Sequence, residues 1–162
     1  MKRPVWLALI IVVLVASVRP AAAQEVIYIV RHAERANQSA DSELSTEGIG
    51  RSFKLRDLLR NAGVTRIFTS PLRRTIDTAA PLAAALHVTP QAIPTDEALL
   101  EAIAGSSPRD RVLVVGHSNT VPALLRGLHI AETVTVPEDE YDNLFIVFSA
   151  KEGRPVLLRL KY

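Results

Sequence analysis

The sequence contains no cysteine among its 162 residues. This absence excludes a disulfide-stabilised scaffold, a thiolate metal site, a cysteine nucleophile and a lipid-modified cysteine. Hydrophobic residues make up 48% of the chain and charged residues 22%, which excludes global disorder. The length suits one domain with a substantial core and is too short for two ordinary domains.

Acidic side chains are missing from residues 1–23. Lys2 and Arg3 precede an almost entirely apolar run over residues 5–18, which is short for a bilayer span. Three alanines at 21–23 match a small-residue cleavage site. These features predict a secretory signal peptide.

Cleavage after Ala23 would leave residues 24–162 as a single domain with no stable membrane span. The alternative is an uncleaved anchor whose apolar segment ends at Arg19 and Pro20. Both interpretations place the domain outside the cytoplasm, in a periplasm or secreted. A domain without cysteine suits such an oxidising compartment.

The mature chain also lacks an excess of positive charge. The whole sequence has a net charge of +2, but three of its 19 Lys and Arg residues lie in the first 23 positions. Residues 24–162 therefore carry 16 cations against 17 acids, a net charge of −1. The remaining cations form no long run, so nucleic acid and a membrane surface are excluded as partners on grounds of charge.

The rest of the chain alternates predicted strands and helices, with no linker and no internal repeat. Strands are predicted at residues 25–30, 66–69, 88–93, 111–115, 144–148 and 156–160. Helices are predicted at residues 45–61, 71–86 and 96–103, with a fourth that ends near 128. This order predicts an α/β fold, a three-layer sandwich with a mainly parallel central sheet flanked by helices. The last two strands would form an antiparallel pair that turns at Glu152-Gly153.

Local signals refine the helices. Ser45 is expected to be the N-cap of the first helix, and Ser70-Pro71 to start the second. Pro81 predicts a kink or break in that second helix. Apolar positions at helical spacing in these two helices are Ile49, Phe53, Leu58 and Leu59, then Leu72, Ile76, Ala79, Ala83 and Leu86.

Polar residues follow three of the predicted strands. In parallel sheets, ligands bind beyond the carboxyl ends of the strands, so these residues are expected to meet at one edge. The three groups are Arg31-His32-Ala33-Glu34, Thr69-Ser70 with Arg73 and Arg74, and Gly116-His117-Ser118-Asn119.

Two histidines with several arginines indicate phosphoryl transfer. The planar guanidinium of arginine matches phosphate oxygens, and a helix N-terminus beside Arg74 would add N–H donors. A neutral histidine can attack phosphorus, and a second histidine can stabilise the developing charge. His87 and His129 are expected to lie outside the site, near helix C-termini.

These segments resemble the histidine phosphatase superfamily, the phosphoglycerate-mutase-like fold, in its smaller branch 1. The Arg-His-Gly motif of that family corresponds to Arg31-His32-Ala33 here. Its Leu-Thr-x-x-Gly signature corresponds to residues 44–48, its Ser-x-x-x-Arg-x-x-x-Thr-Ala segment to residues 70–79, and its Gly-His motif to Gly116-His117. Alanine in place of the family's glycine would be strained if position 33 required a positive φ.

The resemblance implies roles for individual residues. His32 would be the nucleophile that forms a phosphohistidine, and Arg31, Arg74 and His117 would bind the phosphate. No metal and no organic cofactor would be needed. Glu101 would be the proton donor, since residues 96–105 follow the family's Asp-x-x-Leu-x-Glu spacing and glycine. Glu34 and Glu97 are the alternative donors.

An exported phosphatase acting through His32 is therefore the leading hypothesis. Its substrate would be a small phosphomonoester, a phosphorylated envelope component or a phosphoprotein. One alternative is a phospho-ligand-binding module without turnover. Another is a zinc hydrolase with His32, His117 and Glu34 as ligands. The acidic stretch at residues 138–142 would help shape access to the site, although it is typical of a solvated turn.

Overall fold

The computed structural model describes residues 25–149 and 153–162. The predicted signal peptide, its cleavage site and Glu152 of the predicted turn lie outside these residues. Within the described part of the chain, no helix has both the length and the apolar character to cross a membrane.

The described residues form a six-stranded sheet flanked by helices. The strands are β1 (Glu25–Arg31), β2 (Arg66–Thr69), β3 (Gln91–Ala92), β4 (Arg111–Gly116), β5 (Asn143–Ser149) and β6 (Val156–Lys161). The helices are α1 (Thr46–Leu59), α2 (Arg73–Leu86), α3 (Asp96–Ala104) and α4 (Thr120–Gly127).

The sheet has the strand order β3-β2-β4-β1-β5-β6. The pairs from β3 to β1 are parallel, whereas β1–β5 and β5–β6 are antiparallel. The predicted α/β fold with a mainly parallel sheet is therefore confirmed, and the last two strands form the expected antiparallel pair. The carboxyl ends of β1, β2 and β4 lie side by side, which brings the three polar segments to one edge.

Both faces of the sheet are covered. Val30 of β1 and Val115 of β4 belong to a core cluster with residues of α1 and α2, such as Leu55 and Leu82. The alternate residues of the same strands pack with α3 and α4 on the opposite face. Burial on both sides explains why these strands are continuous apolar runs rather than alternating ones.

Helix α1 begins as predicted but buries a different side. The Ser45 hydroxyl is its N-cap and accepts from the Gly48 N–H at 3.1 Å. Ile49 and Phe53 are exposed. The buried positions are Gly48, Ser52, Leu55 and Leu59, because this side of α1 packs closely against the chain that follows β1.

Helix α2 differs from the prediction at its start and its middle. It begins at Arg73, and its N-cap residue is Leu72 rather than Ser70. The Ser70 hydroxyl is instead hydrogen-bonded to the side chains of Thr75 and His117. No break occurs at Pro81, which lies within the continuous helix. Pro81 lacks the N–H that would bond to the Asp77 carbonyl, and both residues line a surface groove.

Strand β3 is shorter than predicted, with two residues instead of six. Pro90 and Pro94 flank it and cannot donate to the ladder hydrogen bonds. The chain therefore leaves the sheet after a short pairing with β2 and continues toward α3.

Candidate active site

His32 lies directly after β1 and is 4% exposed. Its main-chain N–H donates to the Gly116 carbonyl at 2.8 Å, which ties it to the end of β4. Its Nδ1 lies 2.7 Å from the Ala33 carbonyl oxygen. A carbonyl oxygen can only accept, so Nδ1 carries the proton and Nε2 retains a lone pair.

The environment keeps this imidazole neutral. Burial lowers the pKa of His32 to about 3, although the Ala33 hydrogen bond acts to raise it, and electrostatic repulsion from His117, Arg31 and Arg74 lowers it further. Burial also lowers the pKa of His117 to about 4, together with the charges of Arg74 and Arg31. Both histidines are therefore neutral at physiological pH, as a nitrogen nucleophile requires.

The two histidines face each other across the end of the sheet. Their ring centroids are 5.3 Å apart in an edge-on arrangement. His117 Nε2 lies 3.0 Å from the Ser70 hydroxyl, and His117 Nδ1 lies 3.5 Å from Arg74 Nη2. A guanidinium only donates, so the proton of this second imidazole belongs on Nε2, toward Ser70.

Arg31 is the most deeply buried charged group at the site, with 2% of its side chain exposed. Its Nη1 donates to the carbonyls of Pro137 and Glu140, at 2.8 and 3.2 Å. Its Nη2 donates to Glu138 Oε2 at 2.8 Å, and its guanidinium carbon lies 4.1 Å from the centre of the Tyr141 ring. The loop before β5 therefore packs over Arg31.

Arg74 reaches the site from the first turn of α2 and donates to the Ala40 carbonyl at 2.6 Å. In the described residues, the buried Nε atoms of Arg31 and Arg74 have no hydrogen-bond partner. Unpaired buried donors are costly, and an oxyanion could satisfy them. The α2 N-terminus is less available than the sequence predicts, because Asp41 accepts the Arg73 N–H at 2.7 Å.

A buried threonine joins the two motif segments. Thr78 Oγ1 accepts from the Ala33 N–H at 2.9 Å and donates to the Arg74 carbonyl at 2.6 Å. This hydroxyl fixes Ala33, the residue after His32, relative to the turn of α2 that carries Arg74. Ala33 does not have a positive φ, so alanine is accommodated there without backbone strain.

The structure thus brings four predicted site residues together, namely Arg31, His32, Arg74 and His117. It does not bring Glu101 to them. Glu101 is exposed on α3 and lines a different cavity, with Ile27 at the start of β1 and Ser149 at the end of β5.

The other predicted residues lie around the site or away from it. The Glu34 carboxylate is held by Arg51, with Oε1 2.6 Å from Nη2, so it is not free to join the two histidines as a zinc ligand. Glu97 is exposed in the first turn of α3. Arg73 pairs with Glu43 at the surface. Among the described residues, no three histidine or acidic side chains cluster in a way that could hold a metal ion.

Sequence reasoning expected the acidic stretch before β5 to shape access to the site, but it assigned none of these residues a partner there. Glu138 accepts from Arg31 and also from the Ser118 hydroxyl, so this acidic stretch is not merely a solvated turn. The ring of Tyr141 lies 6.0 Å from the ring of His32. No periodicity or motif marks these residues, because their partners are distant in the sequence. The run of acidic residues before a buried strand, Glu138-Asp139-Glu140, is the signal that the sequence offers.

A cavity of about 250 Å³ opens beside His117. It is lined by hydroxyl, acidic and apolar side chains that come from the end of β2, from α3 and from the start of α4. Examples are Ser70, Asp96, Leu99 and Thr120.

Comparisons with known proteins agree with this fold. The model of a protein family described as the histidine phosphatase superfamily (branch 1) matches residues 27–105. The protein histidine phosphatase SixA, complexed with tungstate, has a TM-score of 0.68 and 19% identity, over 84% of this chain and 96% of that chain.

The native mycobacterial glucosyl-3-phosphoglycerate phosphatase has a TM-score of 0.65 and 15% identity, over 83% of this chain and 97% of that chain. At such identities the structural likeness establishes the fold. No curated protein sequence matches the chain.

Proposed function

Because the chain belongs to the histidine phosphatase superfamily, we propose that it is an exported phosphatase that acts through a phosphohistidine on His32. One observation carries this proposal. The hydrogen bond from His32 Nδ1 to its neighbouring carbonyl leaves Nε2 unprotonated beside the buried Arg31, the half-buried Arg74 and a second histidine. That is the arrangement required for nucleophilic attack on a phosphoryl group.

In the proposed reaction, Arg31 and Arg74 bind the non-bridging phosphoryl oxygens. Their charges offset the negative charge of the substrate and of the transition state. His32 Nε2 attacks phosphorus opposite the leaving group, and the P–O bond breaks as the P–N bond forms. Water then attacks the phosphohistidine and releases phosphate.

The proposed substrate class is a phosphoric monoester or a phosphoprotein. Two structural neighbours support this class, since one is named as a protein histidine phosphatase and the other as a glucosyl-3-phosphoglycerate phosphatase. The described part of the chain favours neither. Export through residues 1–23 would direct the enzyme to a phosphorylated compound outside the cytoplasm, including an envelope component.

Intact-protein mass spectrometry tests the covalent step. The wild type is mixed briefly with dinitrophenyl phosphate and quenched without acid, because phosphohistidine is acid-labile. We expect one added phosphoryl group on the wild type and none on His32→Asn. The asparagine amide keeps a donor for the Ala33 carbonyl, so this variant removes the nucleophile while preserving the local hydrogen bond.

His129→Asn is the matched control, because His129 is exposed and lines the cavity remote from the site. It should acquire the adduct as the wild type does. A wild type that binds vanadate but gives no adduct and releases no dinitrophenol would instead be a binding module. Export is tested separately, by the mass of the protein recovered from a bacterial periplasm, which should begin at Gln24.

A further inference from the structure

The proposed reaction lacks an evident proton donor. An alkoxide or phenoxide leaving group needs a proton as the P–O bond breaks. Glu101 lines another cavity and Glu34 is held by Arg51. Glu97 is exposed in the first turn of α3. The proton donor of the proposed reaction must therefore be another carboxyl group near the opening of the site.

Glu138 is a carboxylate that directly contacts the site. Its Oε2 accepts from Arg31 Nη2 at 2.8 Å, and its Oε1 accepts from the hydroxyl of Ser118, the residue after His117. Its side chain is 77% exposed, whereas Arg31 is 2% exposed. Glu138 thus extends from the buried Arg31 to solvent, the side on which the leaving group would lie in the proposed reaction.

We propose that Glu138 is the catalytic acid that protonates the leaving group of ester substrates, an inference that rests on the proposed function. The residue lies in the loop before β5, outside the segments that resemble the family motifs. It would fill the role that the resemblance assigned to Glu101.

The proton balance of this step is complete. The Glu138 carboxylic acid donates its proton to the bridging oxygen as the P–O bond breaks and the bond from phosphorus to His32 Nε2 forms. The resulting carboxylate then accepts a proton from the water that attacks phosphorus, while the P–N bond breaks. The acid is restored, and one ester and one water have become one alcohol and one phosphate.

In this proposal, substrate binding favours the protonated form of Glu138. In the free protein, the Ser118 hydrogen bond and the charge of Arg31 hold the pKa of Glu138 below its usual range. A phosphoryl group competes for Arg31 Nη2 and places negative charge beside the carboxylate. Both changes raise the pKa of Glu138, and its exposure allows it to take a proton from solvent.

The experiment compares two aryl phosphates with different leaving groups. Phenol, like the tyrosine side chain, has a pKa of about 10 and needs protonation, whereas dinitrophenol leaves readily as an anion. We expect Glu138→Gln to lower kcat/KM for phenyl phosphate by ~10²–10⁴-fold and to change kcat/KM for dinitrophenyl phosphate little.

Two variants serve as comparisons. Asp139→Asn removes the same charge from the adjacent exposed position of the loop and should behave as the wild type does. Asp96→Asn tests the acidic residue that lines the cavity beside His117. A selective loss on phenyl phosphate in Asp96→Asn rather than in Glu138→Gln would overturn the proposal.

Other outcomes also decide the question. Equal losses on both substrates in Glu138→Gln would assign Glu138 to binding or folding and overturn the role as an acid. So would a wild type that hydrolyses dinitrophenyl phosphate but not phenyl phosphate. A wild type inactive on both, without an adduct on His32, would instead refute the proposed function itself.

Discussion

At the scale of single residues, the main chain determines the chemistry of His32. The Ala33 carbonyl fixes the tautomer, and Thr78 fixes Ala33 relative to α2. The second imidazole is fixed differently, by the Ser70 hydroxyl on Nε2 and by Arg74 near Nδ1. The two histidines therefore have complementary protonation, with an open lone pair only on His32, the proposed nucleophile.

The depressed histidine pKa values predict an unusual pH profile. The neutral imidazole is the reactive form, so activity is lost only when pH falls below the pKa of the free enzyme. With pKa values of about 3 for His32 and about 4 for His117, kcat/KM for dinitrophenyl phosphate should persist at pH 5. Steady-state kinetics from pH 3 to 8, corrected for substrate ionisation, measure this limb. A loss centred near pH 6.5 would contradict the burial argument.

At the scale of elements, Gly48 of α1 packs against the main chain that follows His32. A Cβ on Gly48 would overlap the Glu34 carbonyl oxygen, and that carbonyl also accepts from the Ser45 N–H at 2.9 Å. The glycine of the Leu-Ser-Thr-Glu-Gly segment thus allows the first turn of α1 to touch the chain two residues after His32. Only a residue without a side chain permits this contact.

Two glycine substitutions in α1 should have opposite effects. Gly48→Ala should lower the free energy of unfolding by about 1–3 kcal/mol, because the added methyl displaces the backbone at Glu34. Gly50→Ala should raise it by about 0.5–1 kcal/mol, since open space surrounds that position. Urea denaturation measures both.

Phosphatase assays should show a parallel difference, with activity reduced in Gly48→Ala and retained in Gly50→Ala. If the two variants were equally stable and equally active, α1 would not position the segment after His32.

The sequence predicts the elements best where burial dominates the pattern. Strands β1, β4 and β5 are continuous apolar runs, and their positions were predicted within a residue or two. The N-cap at Ser45 was also correct. The buried side of α1 was not recognisable, because close backbone approach requires small residues and these carry no hydrophobic signal. The sequence indicated Ser70 as a helix N-cap, but its hydroxyl is hydrogen-bonded to His117 Nε2.

The sequence predicts the site residues whose placement depends on the ends of parallel strands. His32, Arg31 and His117 follow or end parallel neighbours, so the topology brings them together. The side of a helix that faces the site depends on tertiary packing, which explains the error at Glu101. The contact of Glu138 with Arg31 spans 107 positions and joins a loop to a strand, so no local pattern could reveal it.

At the scale of the whole molecule, the site makes folding sensitive to acid. The two histidines have an ordinary pKa of 6.5 in the unfolded chain but about 3 and about 4 when folded. Below pH 6.5 the unfolded chain therefore binds more protons than the folded protein. Stability is fully present above that pH and declines as pH falls toward the folded pKa values.

His32→Asn should remove the larger of these contributions. At pH 5, the penalty from His32 in the wild type is about 2 kcal/mol, from 1.36 kcal/mol per pKa unit. The loss of unfolding free energy between pH 7 and pH 5 should be smaller in the variant by about that amount. Denaturant titrations at the two pH values measure the difference, and an identical loss in both proteins would refute it.

The carbonyl that orients His32 belongs to the peptide backbone, which has a consequence for how the activity can be lost in descent. Any residue that replaces Ala33 still has a main-chain carbonyl oxygen. Substitutions near His32 therefore preserve its tautomer as long as the path of the main chain is unchanged. The tautomer of His32 therefore cannot decay through loss of an orienting side chain, as it can in enzymes whose histidine depends on a carboxylate.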